Sequence, residues 1–289
     1  LGAAIYSPAK YGILPEMIRE HQLVKANAWI EASTIAAIIL GTIAGGQLAD
    51  YSVQGAFWMV AWCYLASMLV TLAIPRLVPR GARLKQALPD FLHTLQRFMQ
   101  TPRARFAMLG GCLFWGAAAV LRVLLVAWVP LVLATRSAGA VSELALFLAI
   151  GVIIGSVVVP RLIPLQHLQR ARFAAYAMGI SVLLFALVDN AGAARGVLLL
   201  IGVAGGVFIV PINAALQQIG HRGVGSGRAV AVQNFYQNVA MLITVGLYTA
   251  AAATGIHPAA AIVVLGMSVL VATLTVARRL PTAKPDSGD

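Results

Sequence analysis

The chain has 289 residues, of which 60% are hydrophobic and only 10% are charged, and its mean hydropathy is +0.87. Soluble domains are roughly 45–50% apolar and about 25% charged, so this composition excludes a soluble globular domain, a disordered chain and a disulfide scaffold. A membrane-spanning helix needs about 20 mostly apolar residues, and the apolar content suffices for roughly eight or nine of them. The long unbroken apolar runs also exclude a porin-type barrel, whose strands alternate.

The net charge of +12 would suit a nucleic-acid partner, but the positions of the basic residues argue against one. They lie in short clusters between apolar runs, as they do in membrane proteins. Cys63 and Cys112 both lie inside apolar segments without a CxxC spacing. We therefore expect buried free thiols rather than a metal or redox site.

Nine apolar segments follow one another along the chain. The first, residues 1–15, is short, which indicates the second half of a helix and a chain that begins inside a longer protein. The others are predicted at residues 27–49, 56–75, 107–134, 144–160, 173–188, 196–217, 229–256 and 258–277. His257 alone separates the last two segments, so a tight hairpin is expected there.

The longest connection, residues 76–106, contains apolar residues at helical spacing between Leu84 and Met99. Basic and amide side chains occupy the other positions. This pattern predicts a basic amphipathic helix on the cytoplasmic leaflet. Pro89 is compatible with that helix only near its beginning or at a kink.

Lysine and arginine predict the orientation of the spans. All but three of the 21 Lys and Arg residues lie in one set of alternate connections or in the C-terminal tail. The opposite connections carry only Arg136 and Arg195, and Arg122 lies within a span. Because short basic loops stay on the cytoplasmic side, we expect a cytoplasmic C terminus.

Three segments precede the long connection and six follow it. We therefore predict the remainder of an N-terminal helical half at residues 1–75, a cytoplasmic connecting segment at 76–106, a C-terminal six-helix half at 107–277 and a cytoplasmic tail at 278–289. A weak internal repeat supports related halves, since Pro8 lies 23 residues before Glu31 and Pro211 lies 22 residues before Gln233. Parallel repeats of this kind relate the two halves of the major facilitator fold.

Charged side chains inside spans are costly and are therefore candidates for function. Arg122 either extends to the membrane interface or holds a phosphate bidentately in a water-filled cavity. Glu31, predicted near the start of its span, either interacts with the helix dipole or faces a central cavity, where it would bind an ammonium group or a basic residue. Lys10 either lies at a loop edge or points into the pathway.

Four amide side chains form a second candidate group, in the span at 229–256. Gln233 and Gln237 share one helix face because they are four residues apart, and Asn234 and Asn238 share another. These side chains either form hydrogen bonds between helices or line a substrate path.

Three GxxxG pairs lie in apolar segments and predict close helix packing: Gly41 with Gly45, Gly151 with Gly155, and Gly202 with Gly206. The histidines lie in connections or at span ends, and none forms a hydrolytic or acyl-transfer pattern with Asp or Cys. We therefore predict no enzyme activity, no catalytic residue, no bound metal and no cofactor.

Many of these stretches resemble the bacterial lysophospholipid transporter family of the major facilitator superfamily. The matching stretches are Tyr6-Ser7-Pro8-Ala9-Lys10-Tyr11-Gly12-Ile13-Leu14, Lys25-Ala26-Asn27, Glu31-Ala32-Ser33-Thr34-Ile35-Ala36-Ala37, Ala44-Gly45-Gly46, Leu48-Ala49-Asp50, Leu113-Phe114-Trp115-Gly116, Leu121-Arg122, Trp128-Val129-Pro130, Val210-Pro211, Asn213-Ala214, Ala231-Val232-Gln233-Asn234, Asn238 and Ala240-Met241-Leu242. Together they extend over nearly the whole chain.

The resemblance implies an all-α membrane protein with a major facilitator-type helical bundle. It further implies truncation to about nine transmembrane helices, from the last part of helix 4 through helix 12. The implied activity is movement of lysophospholipid, chiefly lysophosphatidylethanolamine, to the cytoplasmic leaflet of the bacterial inner membrane, where a partner acyltransferase re-acylates it.

On this hypothesis the lipid phosphate meets Arg122 or Lys10, the ammonium group meets Glu31, and the acyl chain rests on apolar helix faces. The partners are then the lysophospholipid, the membrane lipids and the acyltransferase, with no nucleic acid, and we expect a monomer. The alternatives are efflux of drug or sugar solutes by a major facilitator protein, since a fold does not fix its substrate, and a non-transporting membrane lipid-binding subunit.

Overall fold

The computed structural model describes residues 13–73, 87–134, 138–223 and 225–277. Within these ranges the chain is helical and contains no strand. In chain order the elements are α1 (Leu14–Met17), a 3-10 helix (Glu20–Gln22), α2 (Leu23–Tyr51), α3 (Val53–Thr71), α4 (Ala87–Gln100), α5 (Pro102–Val132), α6 (Ala138–Leu162), a second 3-10 helix (Leu165–Arg170), α7 (Ala171–Phe185), α8 (Ala191–Arg222), α9 (Ser226–Ala253) and α10 (Pro258–Ala277).

The predicted apolar segments from residue 27 onward each form a helix, which confirms an all-α membrane protein. The predicted segment at 1–15 lies mostly outside the described residues, as does the tail at 278–289. Six described helices, α2, α3, α5, α6, α8 and α10, are long and apolar enough to cross a membrane. Two other predicted spans are not among these six helices. They are α7, which has 15 residues, and α9, which carries the amide cluster.

Helix α4 is the predicted amphipathic helix, and Pro89 is its third residue, where a proline does not interrupt helical hydrogen bonds. The Phe91 ring meets the Phe235 ring of α9 edge-on, with centroids 5.6 Å apart. Phe98 is buried, whereas Leu92 is exposed. The helix is therefore attached to the bundle along one face. Leu84, where the predicted pattern begins, lies outside the described residues.

The predicted hairpin is present between α9 and α10, with a four-residue turn from Thr254 to His257 rather than a single residue. Gly255 adopts a positive φ of 82°, which glycine tolerates without strain.

The expectation of two buried thiols is wrong for Cys63. Its helix α3 contacts mainly α2 and has no buried residue, so Cys63 is exposed, whereas Cys112 is half-buried.

Helix α8 is the centre of the bundle, because it contacts α2, α5, α6, α7 and α9. Its Phe208 is fully buried, as are Trp128 of α5 and Phe185 of α7. The rings of Trp128 and Phe185 lie 4.9 Å apart and join α5 to α7.

Two of the three predicted GxxxG pairs bring α6 and α8 into backbone contact. A Cβ atom at Gly151 would lie 2.2 Å from the Leu199 carbonyl oxygen, and one at Gly202 would lie 2.1 Å from that of Leu148. A Cβ atom at Gly155 would lie 2.2 Å from the Val203 carbonyl oxygen, and one at Gly206 would lie 2.4 Å from that of Val152. The prediction is not borne out at Gly41 and Gly45, because no described atom lies within 4 Å of a Cβ at either position.

The close α6–α8 contact predicts a strong effect of one methyl group. Gly151→Ala forces the two backbones apart and should lower stability by roughly 1–3 kcal/mol, as overpacking does. Gly246→Ala is a matched control on α9, because a Cβ there meets nothing within 4 Å and alanine is the better helix former. The thermal unfolding midpoint in detergent should fall for the first variant alone. Equal midpoints would contradict the α6–α8 contact.

Candidate functional site

A row of buried polar side chains joins α2 to α8. Asn27 and Gln217 exchange two hydrogen bonds through their amides, with N–O distances of 2.7 and 2.9 Å. One turn further, Asn213 donates to the Glu31 carboxylate at 3.0 Å and accepts from Gln233 of α9 at 2.7 Å. All five side chains are at most 6% exposed. The pairing crosses three helices and satisfies each amide with another polar group.

The local sequence explains why the row forms. Asn27 and Glu31 are four residues apart on α2, and Asn213 and Gln217 are four apart on α8, so each pair lies on one helix face. The helices run antiparallel, because Asn27 meets Gln217 and Glu31 meets Asn213. A buried polar group without a partner costs roughly 1–3 kcal/mol, which selects this register.

A second set of polar contacts continues the row at the end of the bundle where α5 begins and α8 ends. Glu20, in the first 3-10 helix, accepts from Arg222 through both carboxylate oxygens, with Nε to Oε1 at 2.6 Å. Gln218 donates to Glu20 at 2.9 Å and accepts from Arg103 of α5 at 2.9 Å. The Nδ1 atom of His221 lies 3.4 Å from the Oε1 atom of Glu16 in α1. We call the two sets together the α2–α8 interface.

The strength of these contacts differs along the interface. The Arg222 and Glu20 side chains are 65% and 37% exposed, and such pairs usually contribute little by themselves. The buried amides contribute more, because water cannot replace their partners. The hydrogen bonds of the interface therefore stabilise it more in the interior of the bundle than at its end.

Gln237 lies one turn beyond Gln233 on α9 and faces α5. Its Nε2 atom is buried and has no hydrogen-bond partner among the described residues. It occupies the space that a side chain at Gly111 would need, since a Cβ there would lie 2.7 Å from it. This amide is a free donor in the interior.

Arg122 lies elsewhere, about 16 Å further along α5 from Gly111 at the helical rise of about 1.5 Å per residue. It is exposed and lines an open pocket of about 440 Å³ with Val126 of α5 and with Tyr248 and Thr249 of α9. In the described part of the chain its guanidinium forms no ion pair. A cation beside apolar and hydroxyl side chains suits an amphipathic anion.

The predicted site residues thus divide into separate places. Glu31 lies in the third turn of α2, which rules out the helix-dipole alternative and leaves its cavity-facing role a prediction. Gln233 forms the hydrogen bond between helices that was one of its two predicted roles. Asn234 and Asn238 lie on the other face of α9, where Asn238 is exposed and donates to the Asn234 carbonyl at 2.7 Å. Lys10 lies outside the described residues.

Sequence reasoning missed Asn27, Asn213 and Gln217 as site residues. Their spacing of four inside apolar helices is a signal that could have found them. Their pairing was not accessible from the sequence, because Asn27 and Gln217 are 190 residues apart. Among the described residues, no cluster of three or more His, Cys, Asp or Glu side chains could hold a metal ion.

Comparison with known proteins agrees with this helical arrangement. The family model described as Major Facilitator Superfamily matches residues 1–245. The chain belongs to the major facilitator superfamily. Within it, the resemblance to bacterial lysophospholipid transporters is confirmed by curated relatives that carry the name "Lysophospholipid transporter LplT".

This major facilitator chain is 43% identical over 264 residues to the relative from Klebsiella pneumoniae strain 342, which covers 90% of the chain and 66% of that relative. It is 42% identical over 260 residues to the relative from Citrobacter koseri, with 89% and 65% covered. The relative from Serratia proteamaculans is 44% identical over 260 residues, with 87% and 64% covered. The match spans slightly less than two thirds of these relatives' length.

The buried amide pair predicts non-additive mutations. Asn27→Leu and Gln217→Leu should each lower the free energy of unfolding by roughly 1–3 kcal/mol, because each removes both hydrogen bonds of the pair; in Gln217→Leu, Asn27 keeps only its bond to the Leu23 carbonyl. The double variant should lose less than the sum, since both polar groups are gone. Thermal unfolding midpoints in detergent report this coupling, and strictly additive losses would show that the two amides do not interact.

Proposed function

We propose that the protein transports lysophospholipid, chiefly lysophosphatidylethanolamine, across the bacterial inner membrane to its cytoplasmic leaflet. The similarity to relatives named lysophospholipid transporters extends over 90% of the chain and supports this choice. The observation that carries it is Arg122, a cation within a long apolar helix that lines an open pocket with hydroxyl and apolar neighbours. A lipid with one acyl chain and a phosphate matches both parts of that pocket.

Each charge of the headgroup has a partner, but at a different step of the passage, since Arg122 lies about 16 Å along α5 from the level of Gly111. The guanidinium of Arg122 binds the phosphate bidentately, and Lys10 provides a second cation on the pathway. The Glu31 carboxylate binds the ammonium group once the α2–α8 interface opens, because in this structure it is buried against Asn213. Val126 provides an apolar surface for the acyl chain.

The four amides of α9 line the path between these charges. Gln237 carries the clearest support, because its buried Nε2 is a donor without a partner in the described residues. Gln233 becomes available when its bond to Asn213 breaks. Asn234 and Asn238 contact the lipid from the other face of the same helix.

The α2–α8 interface closes the cytoplasmic end in this proposal. The basic connections support a cytoplasmic position for that end and for the C terminus. The two predicted halves, residues 1–75 and 107–277, meet where α2 contacts α6 and α8, while residues 76–106 connect them and residues 278–289 form a cytoplasmic tail. Opening of the interface releases lipid towards the leaflet where a partner acyltransferase re-acylates it. The protein acts as a monomer and as a transporter rather than an enzyme.

Arg122 supplies the first test of this function. Arg122→Ala in the full-length protein should reduce uptake of labelled lysophosphatidylethanolamine into proteoliposomes roughly tenfold or more, because a charge-assisted hydrogen bond contributes about 1.5–3 kcal/mol. Arg122→Lys should retain part of the activity, since it keeps the charge but not the bidentate geometry. Arg195→Ala is the matched control, because Arg195 pairs with Glu143 at 2.8 Å outside the pocket. Unchanged uptake by Arg122→Ala would contradict the proposal.

The same vesicles discriminate the alternative functions. A drug or sugar exporter would move a soluble solute that competes with the lysolipid, and a lipid-binding subunit would bind lysolipid without flux. The proposal requires lysolipid flux that soluble solutes do not inhibit.

A further inference from the structure

A second open cavity lies away from the Arg122 pocket, between α6, α7 and α8. Its volume is about 540 Å³, and its described lining shares no residue with the Arg122 pocket. The wall is apolar along most of its length, with Leu162 from α6, Phe173 from α7, and Leu200 and Val207 from α8. Arg170, in the second 3-10 helix, lines one end. We call this cavity the α6–α8 groove.

The groove ends at Arg170, and two more arginines, Arg161 and Arg172, are sequence neighbours of its lining residues Leu162 and Phe173. Arg170 and Arg161, the latter at the end of α6, are exposed, and within the described ranges neither forms a hydrogen bond or an ion pair. Arg172 lies over the Phe173 ring with its Cζ 5.0 Å from the centroid. No Asp or Glu occurs in the sequence between Glu143 and Asp189. Among the described residues no carboxylate forms an ion pair with Arg161, Arg170 or Arg172, so this end of the groove carries unpaired positive charge.

Charge and shape together define the ligand. Basic pockets between transmembrane helices on the cytoplasmic side bind the headgroups of anionic lipids, and arginine suits phosphate better than lysine does. An apolar groove leading from the arginines accommodates an acyl chain. A zwitterionic headgroup would bring an ammonium group towards Arg161, Arg170 and Arg172, with no carboxylate in this segment to receive it.

We infer that the α6–α8 groove binds an anionic diacyl phospholipid of the cytoplasmic leaflet, with its phosphate at Arg170 and an acyl chain along Phe173. The lipid is a bound component of the protein rather than the transported molecule. This site rests on the proposed cytoplasmic position of the basic end and is independent of the proposed substrate.

The test measures lipid binding to the purified full-length protein in detergent. Phosphatidylglycerol should raise the thermal unfolding midpoint more than phosphatidylethanolamine with the same acyl chains, and native mass spectrometry should show more bound phosphatidylglycerol. Inorganic phosphate should have no such effect, because it lacks the acyl chain. Equal effects of the two lipids, or an equal effect of phosphate alone, would overturn the site.

Two variants locate the binding. Arg161→Gln with Arg170→Gln should weaken phosphatidylglycerol binding at least fivefold, since one basic residue near a lipid surface contributes about that factor. Ala177→Phe, which keeps the arginines and fills the groove wall, should also reduce binding. Arg195→Gln, near the beginning of α8 and outside the groove lining, is the control. Each variant is first shown to have the parent midpoint in lipid-free detergent, and undiminished binding by both groove variants would refute the inference.

The outcome is separable from the transport proposal. Loss of lysolipid flux in Arg122→Ala with an unchanged phosphatidylglycerol effect would support both sites as distinct. A lack of lysolipid flux in the parent protein would refute the transport proposal and leave the groove measurement valid, because that measurement uses no transport readout.

Discussion

The arrangement of the bundle depends on one constraint: a polar side chain in a membrane interior must find its partner within the protein. Apolar faces cannot decide which helices meet, since lipid tails are as apolar as leucine. The amides of Asn27 and Gln217, and the contacts of Asn213 with Glu31 and Gln233, exist only when α2, α8 and α9 are correctly paired. A few polar groups thus determine the neighbours and the register of helices that are otherwise uniformly apolar.

Helix α8 takes part in two contacts of opposite character. Its contact with α6 is backbone against backbone through Gly151 and Gly202. Its contact with α2 consists of side-chain hydrogen bonds, which can change partners once the helices separate. The first contact therefore suits a permanent interface, and the second suits the interface that we propose opens during transport. The Arg222–Glu20 pair at the end is the most exposed part and the easiest to separate.

The sequence predicted the helices well, because long apolar runs and their basic connections are strong local signals. It also predicted the shared face of Gln233 and Gln237 and the two GxxxG pairs of α6 and α8. It failed where neighbours matter: Gly41 has no close contact, Cys63 is exposed, and the partner of Glu31 comes from a helix 182 residues away. Periodicity carries little information when both faces of a helix are apolar, so long-range pairing had to come from the structure.

The central claim is that the α2–α8 interface opens when lysophospholipid crosses to the cytoplasmic leaflet. It is tested by Asn27→Cys with Gln217→Cys in the full-length protein, in which Cys63 and Cys112 are replaced by Ser, reconstituted in vesicles with labelled lysophosphatidylethanolamine. A reducible bifunctional thiol reagent should join the two new cysteines and stop the flux, and a reductant should restore it. Flux at the uncrosslinked rate after complete crosslinking would contradict the account.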